Sequence, residues 1–293
     1  MQNLPNWRSI LFVPAHVERF IKSAHTRSAD AIQLDLEDSV PIDVKEQARQ
    51  GLAGYTEYLH SKKCAIVIRV NRDLKNCLLD LEAAILHEVS AITLPKVMGP
   101  EHICLIDEAM TEIELRKGLP PGKIRLIALI ETIDGLASIK AIAKSSPRLA
   151  GLALGTEDLS LDGGFDPSEE NLFHPAQQLV FAAKSARINA YGFPASIADY
   201  SDLNQLTQRI EKAKSMGFDG SFCIHPSQVQ VLNKVYQISP TELEQAQKII
   251  MAYDDAISKQ RAAVEVDGKM VDLPVVERAR RTLEYAQSQH LPE

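Results

Sequence analysis

Two acidic residues in the middle of the chain follow directly on short apolar runs. Residues 126–130 lead into Glu131, and residues 152–154 are followed four positions later by Asp158. Continuous apolar runs of this length, bounded by turn residues, are typical of strands buried on both faces. Acids at the carboxyl ends of neighbouring parallel strands can share one divalent cation with water and substrate oxygens. We therefore predict that Glu131 and Asp158 bind Mg²⁺, with Mn²⁺ as an alternative.

Further charged residues are expected at the same edge of the sheet. The acids Asp35, Glu37 and Asp38 end a predicted strand at residues 31–36, and Arg69 lies on the next predicted strand. A bound metal can hold a 2-oxo or 2-hydroxy carboxylate and polarise its oxygen, while an arginine can donate to a carboxylate or an enolate. This combination suits the making or breaking of a carbon–carbon bond next to a carbonyl.

Other interpretations of these residues remain open from the sequence. Glu131 and Asp158 precede predicted helices, so they could instead cap those helices or form salt bridges. Arg69 could serve only to neutralise the neighbouring acids. A Schiff-base mechanism needs a buried lysine, and Lys96, which follows Pro95 at the end of a predicted strand, is a candidate for that role.

The elements that would position these residues alternate along the chain. Eight apolar runs predict strands at residues 9–14, 31–36, 65–70, 91–94, 125–130, 149–154, 190–193 and 221–224. Helical spacing separates them and includes predicted helices at residues 78–88, 135–145 and 176–188. This alternation predicts an α/β fold, a (β/α)8 TIM barrel over residues 1–239. Residues 240–293 predict a C-terminal extension with a helix, a hairpin on an Asp-Gly turn and a last helix.

Composition limits the classes of partner. The chain has 293 residues, a net charge of −7 and 5% aromatic residues, which argues against a nucleic-acid surface. Four cysteines lack metal-type spacing, which predicts free thiols in a reducing compartment. Neither a signal-like start nor an apolar stretch of about 18 residues is present, so we predict a cytoplasmic protein without a membrane partner.

Eight motifs that occur in order along the chain carry a family resemblance. They are RSILFVPA, LDLEDSV, IRVN, LPKV, ALIET, LGTEDL, FDGSFCIHPSQ and DGKMVDLPVVERA. Together they resemble the citrate lyase β subunit and citramalyl-CoA lyase branch of the HpcH/HpaI aldolase superfamily. The resemblance extends from residue 8 to about residue 286, and ALIET with LGTEDL contributes most of it.

The resemblance implies a Mg²⁺-dependent lyase that cleaves the acyl thioester of a hydroxy acid by a retro-Claisen reaction. It assigns Glu131 and Asp158 as metal ligands and Arg69 as the group that stabilises the thioester carbonyl as it becomes an enolate. Glu37 and Asp38 lie in the DLED motif, which orders the metal waters and neighbouring side chains. The expected reaction converts citramalyl-CoA to acetyl-CoA and pyruvate. A malyl-CoA lyase or thioesterase, and a citrate lyase β subunit acting on an acyl carrier protein, are the alternatives.

The resemblance also implies a homo-oligomer, a trimer or a hexamer. In the family, the C-terminal segment reaches the next subunit, and Asp272 matches the acid placed there as a catalytic group. Arg19 and Lys22 match positions near the phosphates of CoA. The structural alternatives are a turn role for Asp272 beside Pro274 and a solvated helix face for Arg19 and Lys22.

Three segments depart from the family pattern. Ala15 and His16 follow VP where the family has a glycine, which affects the placement of CoA. The seventh strand ends in FPASIADY rather than an Asp-Thr-Val-Tyr-like segment, and Phe222 occupies a position where a polar residue is common. The last two departures predict a substrate preference away from the best-known members.

Overall fold

The chain divides into two compact units, Met1–Val235 and Tyr236–Glu293. The computed structural model describes residues 6–288. Residues 1–5 and 289–293, which the predicted barrel and extension include, lie outside the described residues. None of the helices in the described part of the chain is long and apolar enough to cross a membrane.

Eight parallel strands form the centre of the first unit. They are β1 (Ser9–Pro14), β2 (Ala31–Asp35), β3 (Ala65–Arg69), β4 (Ala91–Leu94), β5 (Arg125–Ile130), β6 (Leu149–Leu154), β7 (Asn189–Tyr191) and β8 (Ser221–Cys223). The strand order is β7-β6-β5-β4-β3-β2-β1-β8. A parallel bridge between Tyr191 and Gly220 joins the two end strands. The predicted (β/α)8 barrel is therefore confirmed.

Helices follow the strands and cover the barrel. They are α1 (Glu18–Ala24), α2 (Lys45–Ser61), α3 (Leu74–Ala84), α4 (Pro100–Arg116), α5 (Ile133–Ala137), α6 (Ile139–Ile142), α7 (Thr156–Gly163), α8 (Glu169–Ala186), α9 (Leu203–Met216) and α10 (Pro226–Tyr236). Two short 3₁₀ helices, His25–Arg27 and Ile42–Val44, precede β2 and α2. The alternation of element types agrees with the sequence-based prediction, whereas several boundaries differ.

Three helices differ from the predicted ones because local capping outweighs apolar spacing. Helix α3 begins about one turn earlier than predicted, because the Asp73 carboxylate accepts the amide of Asn76. Helix α8 begins at the Ser168 cap and includes Pro175, so it starts seven residues before the predicted helix at residues 176–188. The single helix predicted at residues 135–145 is instead the pair α5 and α6.

Side chains alternate between the inside of the barrel and its helical cover. The interior contains a buried cluster that includes Ile10, Val67, Ile127 and Tyr191. Toward the carboxyl ends of the strands this apolar filling gives way to charge, because β2, β3 and β5 end with Asp35, Arg69 and, one residue later, Glu131. Such an edge is where (β/α)8 barrels place their chemistry.

The second unit contains helices and a hairpin, as predicted for the extension. Helix α11 (Pro240–Ser258) begins with a capping box formed by Ser239 and Glu242. Strands β9 (Val264–Val266) and β10 (Lys269–Val271) pair antiparallel around Asp267 and Gly268, which have positive φ angles of 50° and 74°. Helix α12 (Leu273–Ser288) follows. Tyr253, Val266, Val271 and Val276 form the core of this unit.

Candidate active site

A pocket with a volume of about 300 Å³ opens at the carboxyl ends of the barrel strands. Its charged lining residues are Asp35, Arg69, Glu131, Glu157 and Asp158. Asp35 and Arg69 lie on β2 and β3, Glu131 directly follows β5, and Glu157 and Asp158 lie in the first turn of α7, which follows β6. Of the residues predicted for the site, the structure thus brings together Arg69, Glu131 and Asp158.

Glu131 is nearly inaccessible to solvent, with 2% of its surface exposed, although its carboxylate reaches the pocket. The backbone amide of Lys96 donates to its Oε1 at 2.7 Å. Gly155 allows the close approach of this side chain, because a Cβ at that position would lie 2.5 Å from Glu131 Oε2. Burial, together with the negative charges of Glu37 and Asp158, raises the pKa of Glu131 to about 8.

Asp158 is half-buried in the first turn of α7. The capping alternative does not account for either acid. The N-cap of α7 is Gly155, which has no side chain, and the N-cap of α5 is Thr132, whose hydroxyl accepts the amide of Gly135. The side chains of Glu131 and Asp158 are therefore not needed as helix caps.

Arg69 is held in a fixed orientation by two acids. Its Nε and Nη2 donate to the two oxygens of Asp35 at 2.6 and 2.8 Å, and its Nη1 lies 2.8 Å from Glu37 Oε2. The guanidinium also lies 4.9 Å from the centre of the Phe12 ring. Burial alone would raise the pKa of Asp35, but the hydrogen bonds and charge of Arg69 outweigh it and hold that pKa below its usual value. The ion pair is therefore charged and rigid.

Asp35 has no role in the sequence-based prediction, which selected Glu37 and Asp38 from the same strand end. The structure gives Asp35 a place in the pocket lining and the bidentate contact with Arg69. The alternation of side chains along a strand could have predicted the position of Asp35, because Ala31, Gln33 and Asp35 lie on the same face of β2.

Lys96 connects Glu37 and Asp38 to the rest of the site. Its ammonium lies 3.0 Å from Glu37 Oε1 and 3.3 Å from Asp38 Oδ2, and its backbone adopts a left-handed φ of 49°. Glu37 is buried, whereas the side chain of Asp38 is 58% exposed. Partial burial would lower the pKa of Lys96, but its hydrogen bond and ion pair with Glu37 raise it well above the ordinary value. A Schiff-base lysine requires a neutral amine, so this environment is unsuited to that mechanism.

The neighbouring acids form ion pairs with Arg69 and Lys96, but the two acids predicted as metal ligands do not within the described residues. Asp35 and Glu37 face Arg69 and Lys96, while neither Glu131 nor Asp158 takes part in a described ion pair. Within residues 6–288, no group of three or more His, Cys, Asp and Glu side chains could hold a metal. Two carboxylates with an open remainder suit Mg²⁺, which keeps several water or substrate ligands. The residues present therefore fit a Mg²⁺ ion.

Arg19 and Lys22 lie outside the pocket lining, on α1. Lys22 forms an exposed ion pair with Glu18 at 2.7 Å, and the Arg19 guanidinium lies 4.8 Å from the centre of the Phe20 ring. These contacts agree with the solvated-face alternative, and a role toward the phosphates of CoA stays a prediction.

Asp272 belongs to the second unit, between β10 and α12. Its carboxylate accepts the amide of Val275 at 3.4 Å, and its backbone oxygen accepts the amides of Val275 and Val276. The residue is half-buried. These contacts fit a turn residue at the start of α12, and its catalytic role also stays a prediction.

The fold and the pocket define a (β/α)8-barrel enzyme with a positioned arginine and two acids that form no ion pair within the described part of the chain. The family model described as HpcH/HpaI aldolase/citrate lyase matches residues 8–226, and a second, described as C-C_Bond_Lyase of the TIM-Barrel fold, matches residues 167–288. The chain belongs to the HpcH/HpaI aldolase/citrate lyase family.

Individual relatives agree with this assignment. Citrate lyase subunit beta of Haemophilus influenzae is 32% identical over 287 residues, which cover 96% of this chain and 97% of that protein. A (3S)-malyl-CoA thioesterase of Cereibacter sphaeroides is also 32% identical, over 96% of this chain and 95% of its own. CitE from Mycobacterium tuberculosis, whose crystal structure is in complex with magnesium, acetoacetate and coenzyme A, is 26% identical to this chain in sequence. It covers 98% of this chain and all of its own, with a TM-score of 0.75.

Proposed function

We propose that the protein is a Mg²⁺-dependent carbon–carbon lyase that cleaves a hydroxyacyl-CoA thioester, with citramalyl-CoA as the substrate and acetyl-CoA and pyruvate as the products. One observation carries the proposal. The pocket combines two acids that form no ion pair among the described residues, Glu131 and Asp158, with an arginine that Asp35 holds in place. The magnesium and coenzyme A bound by the CitE structure, and the lyase relatives, support it.

In the proposed reaction the bond between the hydroxyl-bearing carbon and the carbon next to the thioester breaks. The hydroxyl loses its proton and becomes the carbonyl of pyruvate, and the bonding electrons pass to the thioester as an enolate. A proton returned to that carbon completes acetyl-CoA. Every atom of citramalyl-CoA is thus found in the two products, and no oxidant or reductant is needed.

Mg²⁺ bound by Glu131 and Asp158 would supply positive charge that binds the hydroxy-carboxylate end of the substrate and polarises its oxygen. Arg69 then has a separate task at the thioester. Its Nη2 donates one N–H to Asp35, which leaves a second N–H on that nitrogen for the thioester oxygen. This donor is oriented before the substrate enters, so stabilising the enolate requires little reorganisation.

The remaining assignments complete the proposal. Glu37 and Asp38, together with Lys96, order the loop after β2 beside the metal position. Arg19 and Lys22 bind the phosphates of CoA. The protein is a homo-oligomer, a trimer or a hexamer, in which Asp272 of the extension acts on the site of a neighbouring subunit. There it would return the proton and help to exclude water.

The relatives favour two further candidates. Their names include citrate lyase subunit beta, which supports cleavage of a citryl thioester, on an acyl carrier protein within a complex. They also include (3S)-malyl-CoA thioesterase, which supports hydrolysis or cleavage of malyl-CoA. Both candidates use the same pocket, and they differ from the first in the acyl group or in its carrier.

The purified protein alone is the test. With Mg²⁺ it should release pyruvate and acetyl-CoA from citramalyl-CoA, and EDTA should abolish the release. Asp158→Asn should remove the activity, while the matched exchange Glu170→Gln, at an exposed acid in the first turn of α8, should leave it intact. Turnover of malyl-CoA or citryl-CoA in preference to citramalyl-CoA would select another candidate. Failure of the isolated chain to cleave any of the three thioesters would refute the stand-alone lyase.

A further inference from the structure

Part of the pocket lining is apolar. It is built by side chains from β1, from the end of β6, and from β7, β8 and their following loops, namely Phe12, Leu154, Phe193, Ile197, Phe222 and Ile224. We refer to these six residues as the apolar wall. The pocket lining therefore has a charged part and an apolar part.

The apolar wall carries no charged side chain of its own, and the nearby cation is Arg69, whose guanidinium lies 4.9 Å from the centre of the Phe12 ring. Among the described residues that line the pocket, Arg69 is the only lysine or arginine, and Asp35 and Glu37 already compensate its charge. A carboxylate against the wall would lose hydration and gain no ion pair. Burying a charge in this way is costly.

Gln228 holds two segments of the wall in place. This side chain on α10 is 2% exposed, and its Nε2 donates to the backbone oxygen of Ile197 at 2.9 Å. Its Oε1 accepts the amides of Ile224 and His225 at 2.8 and 3.0 Å. One buried amide thus ties the loop after β7 to the end of β8. The wall is preorganised for a ligand that fills it.

Aromatic packing fixes the deeper part of the wall. The ring centres of Phe12 and Phe222 lie 5.4 Å apart, and the Tyr191 ring meets Phe222 edge-on at 6.0 Å. The cavity of about 300 Å³ lies at the lower end of the range typical of drug-sized ligands.

We infer that the apolar wall selects hydroxyacyl thioesters whose branch at the hydroxyl-bearing carbon is an alkyl group, groups larger than methyl included, and rejects a carboxymethyl branch. The inference rests on the proposed function, because it names the substrate class of the same site. It sets the acyl group apart from the citryl group, which carries a carboxymethyl branch at that carbon.

A matched pair of 2-oxo acids tests the selection without turnover. Oxaloacetate and 4-methyl-2-oxopentanoate have side chains of the same size and shape, and only the first is charged there. Calorimetry with the Mg²⁺-loaded protein should show the apolar acid binding at least about tenfold more tightly. Equal or tighter binding of oxaloacetate, or no binding of either acid, would overturn the inference.

Substitutions in the apolar wall provide a second part of the same binding experiment. Ile197 is half-buried in a loop, so Ile197→Lys should reverse the preference toward oxaloacetate, whereas Ile197→Met should keep it. Ile224→Lys, at a side chain that is 42% exposed, gives an independent variant if the first does not fold. An effect on the affinity for free CoA without any change in the preference between the two acids would assign the wall to the pantetheine arm and overturn the inference.

Measurements of turnover distinguish a failure of the proposed lyase function from a failure of the apolar selection. The isobutyl homologue of citramalyl-CoA and citryl-CoA should differ in kcat/KM in the same direction as the two acids differ in affinity. If no thioester is cleaved while the binding preference and its reversal hold, the proposed function fails and the apolar selection stands. If the thioesters are cleaved and citryl-CoA is the better substrate, the selection fails and the lyase assignment stands.

Discussion

Asp35 and Arg69 lie side by side in register on β2 and β3 and meet in a bidentate ion pair of 2.6 and 2.8 Å. Parallel pairing brings the ends of the two strands together, so the side chains need no long reach. The pair fixes the plane of the guanidinium toward the pocket. In the proposed reaction Arg69 meets the substrate, and Asp35 acts through Arg69 as a positioning residue.

Asp35→Asn should therefore impair both folding and catalysis. The substitution leaves a buried arginine with only Glu37 opposite it, which should cost about 3–5 kcal/mol in the free energy of unfolding. A guanidinium that is no longer fixed should lower kcat/KM on the order of 10²-fold. Urea unfolding and steady-state kinetics measure the two effects.

Asp255→Asn, at an exposed acid paired with Lys259, is the control and should change the free energy of unfolding by at most about 1 kcal/mol. Asp35→Asn kinetics equal to those of the wild type would contradict the positioning role.

The pH dependence of stability should report the charge on Glu131. Its pKa is raised from about 4.5 to about 8. Between these values the folded protein holds a proton that the unfolded chain has released, so the free energy of unfolding should fall as pH rises through this window. The loss should be on the order of a few kcal/mol when divalent cations are removed. Mg²⁺ binds the ionised acid and should oppose the loss.

Glu131→Gln gives the comparison for this pH effect. The amide cannot ionise, so its unfolding free energy in EDTA should vary less between pH 5 and pH 8 than that of the wild type. Glu170→Gln, which removes an exposed acid, should retain the slope of the wild type. Parallel pH profiles for the wild type and Glu131→Gln would show that the buried acid has an ordinary pKa.

Lys96 should act through charge rather than through a covalent bond. Its pKa is raised by Glu37, so pyruvate and borohydride should leave no reduced adduct on Lys96 by mass spectrometry. Lys96→Arg should keep part of the activity, because an arginine can still pair with Glu37 and Asp38. Lys96→Met should lose more, since it removes one of the two cations that pair with the buried Glu37. A trapped adduct together with a dead Lys96→Arg enzyme would restore the Schiff-base mechanism.

The role proposed for Asp272 predicts complementation between subunits. Arg69→Ala and Asp272→Ala homo-oligomers should each be inactive, because each lacks one group of every site. Mixed oligomers should recover part of the activity, because some sites combine an intact Arg69 with an intact Asp272 from a neighbour. Activity measured after co-refolding, with mixing verified by native mass spectrometry, checks this. Verified mixed oligomers without activity would argue against action between subunits.

The order of strands and the main acids could be predicted because both depend on local pattern. Buried parallel strands need continuous apolar runs, and those runs identify the eight strands and place Glu131 and Asp158 beyond two neighbours. The first residues of helices were harder to predict. Ser168 and Asp73 cap α8 and α3 at positions that lie before the apolar spacing of each helix begins. Helix α8 continues through Pro175, because a helix that is stabilised by its cap and its packing can include a proline.

The sequence alone determined the (β/α)8 fold and the family, and it placed Glu131 and Asp158 at the ends of neighbouring strands. Only the tertiary structure decided that Asp35 forms the bidentate contact with Arg69, that Glu37 lies between Arg69 and Lys96, and that Lys96 is an ion-pair partner. Strand register and the facing of side chains set these contacts, and neither can be read from neighbours in the chain. The apolar wall arises in the same way, because Phe12, Ile197 and Phe222 are distant in sequence and meet only when the barrel closes.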